Sequence, residues 1–243
     1  MMRQSCTAHD CRSCELRSLS VLCDLPADDL AELNRIIHRF WYDARETVFY
    51  EGHACLGLSL LSRGKVKLTR SSTRGRRQIV RILEAGQLIE THAFQDQTTH
   101  LVTCETLEPS QVCLIEREGY AALVRRNPDL AINLLQLLSG ELGLQRENAA
   151  AFTFKSAKER LAALLLDLGQ RFGEEEGDRV ELRLRLKREE VAELLGVSTE
   201  TAIRLLGTFR DEGLVGLDGR AITLLNRTRL ARMAHLEPTV SLE

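Results

Sequence analysis

Two hydrophobic rhythms run along the chain, and the change between them divides it. Between residues 47 and 116 short apolar runs, TVFYEG, LGLSLLSRG, KVKLTR, RQIVRILEAG, LVTCETL and SQVCLIE, alternate with turns, and glycine recurs at Gly52, Gly64, Gly75 and Gly86. Short strands punctuated by glycine predict an antiparallel roll or barrel. On either side the apolar positions return at helical spacing. ADDLAELNRIIH, residues 27–38, predicts a short amphipathic helix opening the first globular region. Residues 128–152 predict a long helix, and KERLAALLLDLGQRF, residues 158–172, a further one ended by the acidic, glycine-bearing segment 173–178.

The long helix carries a seam. Leu135, Leu138, Leu142, Gln145, Ala149 and Phe152 recur at intervals of three, four, three, four and three, a heptad pattern. Such a seam predicts a partner helix, most economically the same helix of a second subunit. A helix packed on its own barrel is the alternative. Gln145 is the one polar seam position and could fix register at some cost in stability.

Residues 187–210, KREEVAELLGVSTETAIRLLGTFR, read as two short amphipathic helices joined by a tight turn. Val191, Leu194 and Leu195 form one apolar face; Ala202, Leu205, Leu206 and Phe209 form the other. Gly196 suits the turn, Ser198 is a good N-cap, and small Ala192 allows a close helix crossing. The solvent face of the second helix is left with Glu200, Ile203, Arg204 and Thr208, and Ser198 and Thr201 stand at its start. In a DNA major groove Arg204 can fork onto guanine, Glu200 can accept from cytosine N4, and Ile203 can touch a thymine methyl. A plain solvated helix with a Glu200–Arg204 ion pair is the bland alternative. An exposed isoleucine beside an arginine speaks against it, as does a strand-turn-strand wing at 214–224 with Asp218-Gly219 as its hairpin turn.

Length and charge bound this picture without deciding it. The 243 residues allow two domains with cores of their own, and a net charge of -2 gives no global basic footprint for nucleic acid. Between residues 179 and 232 eleven Lys/Arg face eight Asp/Glu, a local surplus of three. The basic hairpin end RSSTRGRR, residues 70–77, reads as a solvated turn before it reads as a contact to polymerase or nucleic acid. No apolar run reaches a membrane span and the polar N-terminus is no signal peptide, so a cytoplasmic protein is expected. No Ser/His/Asp set, phosphate-cradling glycine loop or HExxH is present, which leaves an enzyme reading without support.

Seven cysteines change the picture. In a cytoplasmic chain they suggest metal or redox chemistry before structural disulfides. Cys6, Cys11, Cys14 and Cys23 crowd the first residues with His9 among them; Cys11 and Cys14 make a CxxC step, and Cys23 follows after eight residues. This spacing suits thiolates converging on an iron-sulfur cluster or a zinc ion, with a fourth ligand from elsewhere. Cys6, His9, Cys11 and Cys14 could also close a zinc site among themselves, and an exposed redox pair is the third possibility. Cys55, Cys104 and Cys113 lie in the strand region, where small buried hydrophobes are the simplest reading.

A barrel, a dimerising helix and a C-terminal winged helix, in that order, resemble the Crp-Fnr family of bacterial transcription regulators. The likeness covers nearly the whole chain and is most specific at GVSTETAIRLLG, residues 196–207, and AKERLAA, residues 157–163, with Gly64 and Gly86 resembling the family's barrel-turn glycines. The resemblance implies an α+β fold: a cysteine-rich segment 1–26, a cyclic-nucleotide-binding-like β-roll 27–127, a dimerisation helix 128–153 and a winged helix-turn-helix DNA-binding domain 154–243. It also implies a homodimer, a palindromic double-stranded DNA site, RNA polymerase as a partner and no membrane. The family's cyclic-nucleotide sensors hold phosphate with a Gly-Glu step and an Arg-Ser pair; here those places carry Glu90-Thr91 and His100-Leu101, so cyclic AMP is not the expected effector.

The family's oxygen-sensing branch holds a [4Fe-4S] cluster with three N-terminal cysteines and one from the barrel's end. The resemblance assigns Cys11, Cys14, Cys23 and Cys113, with Cys6 as an alternative to Cys23 because the Cys14–Cys23 gap is longer than in the best-known sensor. It favours the cluster over zinc or a thiol switch, with oxygen, nitric oxide or redox state as the signal. Ile203 stands where that sensor has a base-reading serine, and Gln145 where it has an aspartate that opposes dimerisation, so looser coupling of cluster to dimer is expected. A relative with zinc, a thiol switch or haem is the nearest rival. A metal-binding or redox protein without sequence-specific DNA binding is the rival of another class.

Overall fold

The computed structural model describes residues 11, 14, 20, 25–89 and 98–235. It divides into two compact units, Met1–Gly143 and Leu144–Glu243. The first opens with α1 (Ala27–Ile36) and continues through β1 (Ile37–Tyr42), β2 (Thr47–Phe49), β3 (Gly57–Arg63), β4 (Lys65–Ser71), β5 (Arg77–Glu84), β6 (Thr103–Thr106) and β7 (Ser110–Glu116), followed by α2 (Arg117–Arg126). The strands make two antiparallel sheets of order β1-β7-β3 and β2-β6-β4-β5. Helix α3 (Asp129–Phe154) is continuous across the division between the units.

The predicted 27–38 helix ends two residues early, because Ile37 and His38 already pair with Ile115 and Leu114 of β7. All four roll glycines, Gly52, Gly64, Gly75 and Gly86, have positive φ, as tight strand turns require. A Cβ on Gly64 would also lie 2.7 Å from the carbonyl oxygen of Pro109, so no other residue fits there.

Strand β7 decides where the chemistry falls. It is the middle strand of its sheet and buried on both faces, so alternate residues enter different cores. Val112 joins Tyr42, Val48, Leu61, Val66 and Leu83 between the sheets. Cys113 and Ile115 point the other way, into a cluster with Leu30 and Leu33 of α1, Tyr120 and Leu123 of α2, and Leu130 and Leu134 of α3. Each fully buried leucine or isoleucine there contributes about 1.5–3 kcal/mol.

The second unit contains α4 (Ala157–Phe172), β8 (Gly173–Glu176), β9 (Arg179–Leu182), α5 (Arg188–Leu195), α6 (Thr199–Asp211), β10 (Val215–Asp218), β11 (Ala221–Leu224) and α7 (Arg227–Met233), with sheet order β10-β11-β9-β8. The hairpin β8–β9 replaces what the sequence presents as a simple acidic helix stop. Two of its exposed carboxylates are paired, Glu174 with Arg183 at 2.9 Å and Glu175 with Arg227 at 2.9 Å, which makes an acidic run acceptable as a strand. Gly173 permits the abrupt exit from α4, since a Cβ there would lie 2.2 Å from the carbonyl oxygen of Gly169. No helix of the described residues is long and apolar enough to cross a membrane.

Candidate nucleic-acid interface and thiol site

The second unit presents one helix outward. Helix α5 ends at Gly196 in the left-handed conformation (φ 66°, ψ 36°), and the Val197 amide closes the turn on the Ala192 carbonyl at 3.1 Å. Ser198 then caps α6, its hydroxyl accepting from the Thr201 amide at 3.3 Å. Ala202, Leu206 and Phe209 are buried, and Ala192 lies buried beneath the crossing. Leu205 and Leu194, both read as inward residues, are half-buried.

On the opposite side Glu200 and Arg204 are exposed and Ile203 is 51 % exposed. The Glu200 carboxyl is held below the usual carboxylate range by its own backbone amide and by Ser198, so at neutral pH it is an acceptor only. Glu200 and Arg204 form no ion pair with each other among the described residues, which removes the interaction a solvated helix would have used them for. An ionised acceptor, a free guanidinium and an aliphatic side chain on one face of a capped helix match the donor, acceptor and methyl pattern of a major groove.

Two supports were not legible in the sequence. Arg188 Nη2 donates to the Gly219 carbonyl at 2.8 Å, tying the first turn of α5 to the turn of the β10–β11 wing, whose tip exposes Arg220. The AKERLAA segment fixes both helices from behind: Arg160 Nη2 donates to the carbonyl of Leu195 at 3.0 Å, and Lys158 pairs with Glu212 at 2.8 Å. Only a folded unit brings these partners within reach.

In the first unit, three of the predicted thiols share one neighbourhood. Cys11 and Cys113 are buried in the same core cluster, and half-buried Cys14 packs against it. Burial pushes the Cys113 thiol up to about 12, opposed by the charge of Arg39 and reinforced by Cys14 and Cys11. Arg39, on β1, is the register partner of Cys113 and only 9 % exposed. Its Nη2 donates to Cys11 Sγ at 2.9 Å and to Asn34 Oδ1 at 2.9 Å, and the Cys11 amide donates to the same Asn34 oxygen at 3.2 Å. No carboxylate pairs with Arg39 among the described residues, although a buried cation without an anion costs several kcal/mol. Thiols that give up their protons to a metal would be the anions at hand.

The donor set therefore suits a soft metal or a cluster, which thiolates bind as anions. Among the described residues no three His, Cys, Asp or Glu side chains already converge as a metal-binding group. Cys23, Cys6 and His9 lie outside the described residues. Cys55 and Cys104 are buried and remain core residues, as their sequence context suggests.

The matching family models are a cyclic nucleotide-binding domain over residues 39–127 and a Crp-like helix-turn-helix domain over residues 159–233. The chain is 30% identical over 230 residues to the fumarate and nitrate reduction regulatory protein of Escherichia coli, covering 94% of this chain and 91% of that protein. The chain belongs to the Crp-Fnr family. It is also similar, at 30% identity with the same coverage, to the fumarate nitrate reduction regulatory protein of Klebsiella oxytoca. Among solved structures, FixK2 from Bradyrhizobium japonicum has a TM-score of 0.71 at 24% identity, covering 82% of this chain and 97% of that one. The c-di-GMP responsive global regulator CLP of Xanthomonas campestris has a TM-score of 0.74 at 22% identity, covering 83% and 100%. These last two establish the fold.

As a Crp-Fnr protein the chain is a DNA-binding transcription regulator from a family that acts as dimers, and its relatives are regulators rather than enzymes. Its long helix α3 has two faces. Leu130 and Leu134 are buried in the first unit's core, with Leu137 and Leu138 packed against it. Leu135 is 58 % and Leu142 48 % exposed, and Gln145, Ala149 and Phe152 are exposed as well. Of the six seam positions, Leu138 alone divides itself between the outer face and its own core. Phe152 carries the Arg160 guanidinium over its ring at 5.1 Å.

A cavity of about 330 Å3 opens in this Crp-Fnr β-roll, lined by Tyr42, Phe49, His53, His100 and Val112 among others, with no lysine or arginine among the described residues of the lining. His100 stacks on Phe49 with ring centroids 3.7 Å apart. Glu90 and Thr91 lie outside the described residues.

Proposed function

We propose that the protein is a homodimeric, cytoplasmic regulator that binds a palindromic DNA site and answers oxygen or nitric oxide through one [4Fe-4S] cluster per subunit, held by Cys11, Cys14, Cys23 and Cys113, with Cys6 as the alternative to Cys23. The observation that carries the reading is the buried guanidinium of Arg39, which meets no carboxylate among the described residues and lies against Cys11 and opposite Cys113 in strand register. A neutral thiol core would leave that charge uncompensated; ligating thiolates compensate it. Bound there, the cluster would supply a metal-sulfide centre sensitive to oxygen and nitric oxide.

This chain's own residues supply the coupling. Cys11 and Leu25 share a core cluster with Leu130 and Leu134, and Leu138 of the seam packs against it. When the thiols lose their hold, the segment carrying Cys11 repacks, and the base of α3 repacks with it. That biases the outer face of Leu135, Leu138, Leu142, Gln145, Ala149 and Phe152, through which two α3 helices associate. Dimerisation places two α6 helices on half-sites about one DNA turn apart. There Glu200, Ile203 and Arg204 read bases, Ser198 and Thr201 fix the helix start, and RNA polymerase is the regulatory partner. Cyclic AMP is not the proposed effector: among the described residues the cavity lining holds no lysine or arginine for its phosphate, and His100 stands where the family resemblance puts an arginine.

Protein purified without air decides the matter through its absorption spectrum, iron and sulfide content, and DNA selection from random duplexes. The proposal expects stoichiometric iron and sulfide, selection of a palindrome, and weaker binding after exposure to air. A colourless, iron-free protein with stoichiometric zinc sinks the cluster; a haem Soret band points to another effector; failure to select any palindrome points to a metal-binding or redox role.

A further inference from the structure

We infer that Arg39 is the positioning residue and charge partner of the thiol site, and that with Asn34 it holds Cys11 in the ligating arrangement and sets how firmly the bound cluster is retained. The inference rests on the cluster reading above. It rests equally on geometry that the reading does not require. A guanidinium this deeply buried normally meets a carboxylate. Here its donors go to Cys11 Sγ and Asn34 Oδ1, each at 2.9 Å. Asn34 in turn accepts from the Cys11 amide at 3.2 Å, so one side-chain oxygen orients both the cation and the backbone of the first ligand. The cation lies in strand register with Cys113, the last ligand. Two ligands distant in sequence thus meet at one fixed positive charge.

The physical consequence is specific. Thiolates on a cluster give the site net negative charge, and an adjacent cation in a low-dielectric core stabilises that charge. It stabilises the reduced cluster most, because reduction adds a further negative charge, so Arg39 raises the reduction potential. It also slows ligand loss by holding Cys11 in place, since outer-shell partners that orient a metal ligand strengthen metal retention. Without the cluster the same guanidinium keeps its hydrogen bond to Asn34 but is a liability, because among the described residues neutral thiols leave it buried with no anion.

The test compares wild type, Arg39→Met, which keeps the aliphatic stem but not the charge, and Arg39→Lys, which keeps the charge. Each is prepared without air with its cluster, and again as apoprotein. With cluster, Arg39→Met should lose iron in air about tenfold faster, as changes to groups that support metal ligands commonly do. Its reduction potential should shift to more negative values, and Arg39→Lys should restore most of that potential. As apoprotein, Arg39→Met should melt at or above the wild-type temperature. A purely structural arginine predicts a lower melting temperature in both forms and no rescue of the potential by lysine; that result overturns the inference. If the wild type holds its cluster while Arg39→Met matches it in iron loss and potential, the inference falls alone. If the wild type holds no iron or sulfide, the cluster reading falls and takes the inference with it.

Discussion

The DNA reader and the thiol site are built by opposite strategies. The reader is local: Gly196, Ser198, Thr201 and the inward positions Ala202, Leu206 and Phe209 fall within 14 consecutive residues, and each follows from helix geometry and capping. The thiol site is assembled from distant pieces: Cys11 from the N-terminal segment, Asn34 from α1, Arg39 from β1 and Cys113 from the middle strand β7. A local device tolerates the loss of one contact, because its scaffold is set by its own periodicity. An assembled site does not, because each member is held by the others.

The largest effect should come from the assembled site. Cys113→Ser should reduce the iron retained by protein prepared without air to background, while the second unit keeps its far-UV circular dichroism and thermal transition. Retention of full iron would mean that Cys113 is a core residue after all. The next effect tests base reading: Arg204→Ala should cost ~1–3 kcal/mol on the selected palindrome and far less on unrelated duplexes, measured by gel shift at fixed salt. An equal loss on every duplex would make Arg204 a phosphate contact. The smallest effect tests the local scaffold: Ser198→Ala should lower the stability of the second unit by about 1 kcal/mol in a denaturant titration. It should leave iron content unchanged, and a change in iron content would break the separation drawn between the two regions.

The differences in legibility have the same origin. Helix caps, positive-φ turn glycines and the heptad seam are written in short spacings, so the fold order and the face bearing Glu200, Ile203 and Arg204 could be read directly. Strand β1 was missed because IHRFWY follows a helical pattern without a break, and it becomes a strand only by pairing with β7. Hairpin β8–β9 was missed because its carboxylates look solvated until Arg183 and Arg227 meet them. Arg188, which braces the wing through the Gly219 carbonyl, leaves no signal in the sequence, since a backbone acceptor has no residue type.

Sequence by itself determined the order of roll, long helix and winged helix, the outward residues of α6, and the four glycines that turn the roll. Tertiary structure alone decided that β7 is buried on both faces, which sends Cys113 into the helical layer rather than between the sheets. It also decided that a charged residue of β1 shares that layer with Cys11 and Cys113. Alternation along a strand is a property of the chain, but which face meets which core depends on the neighbours the strand acquires on folding.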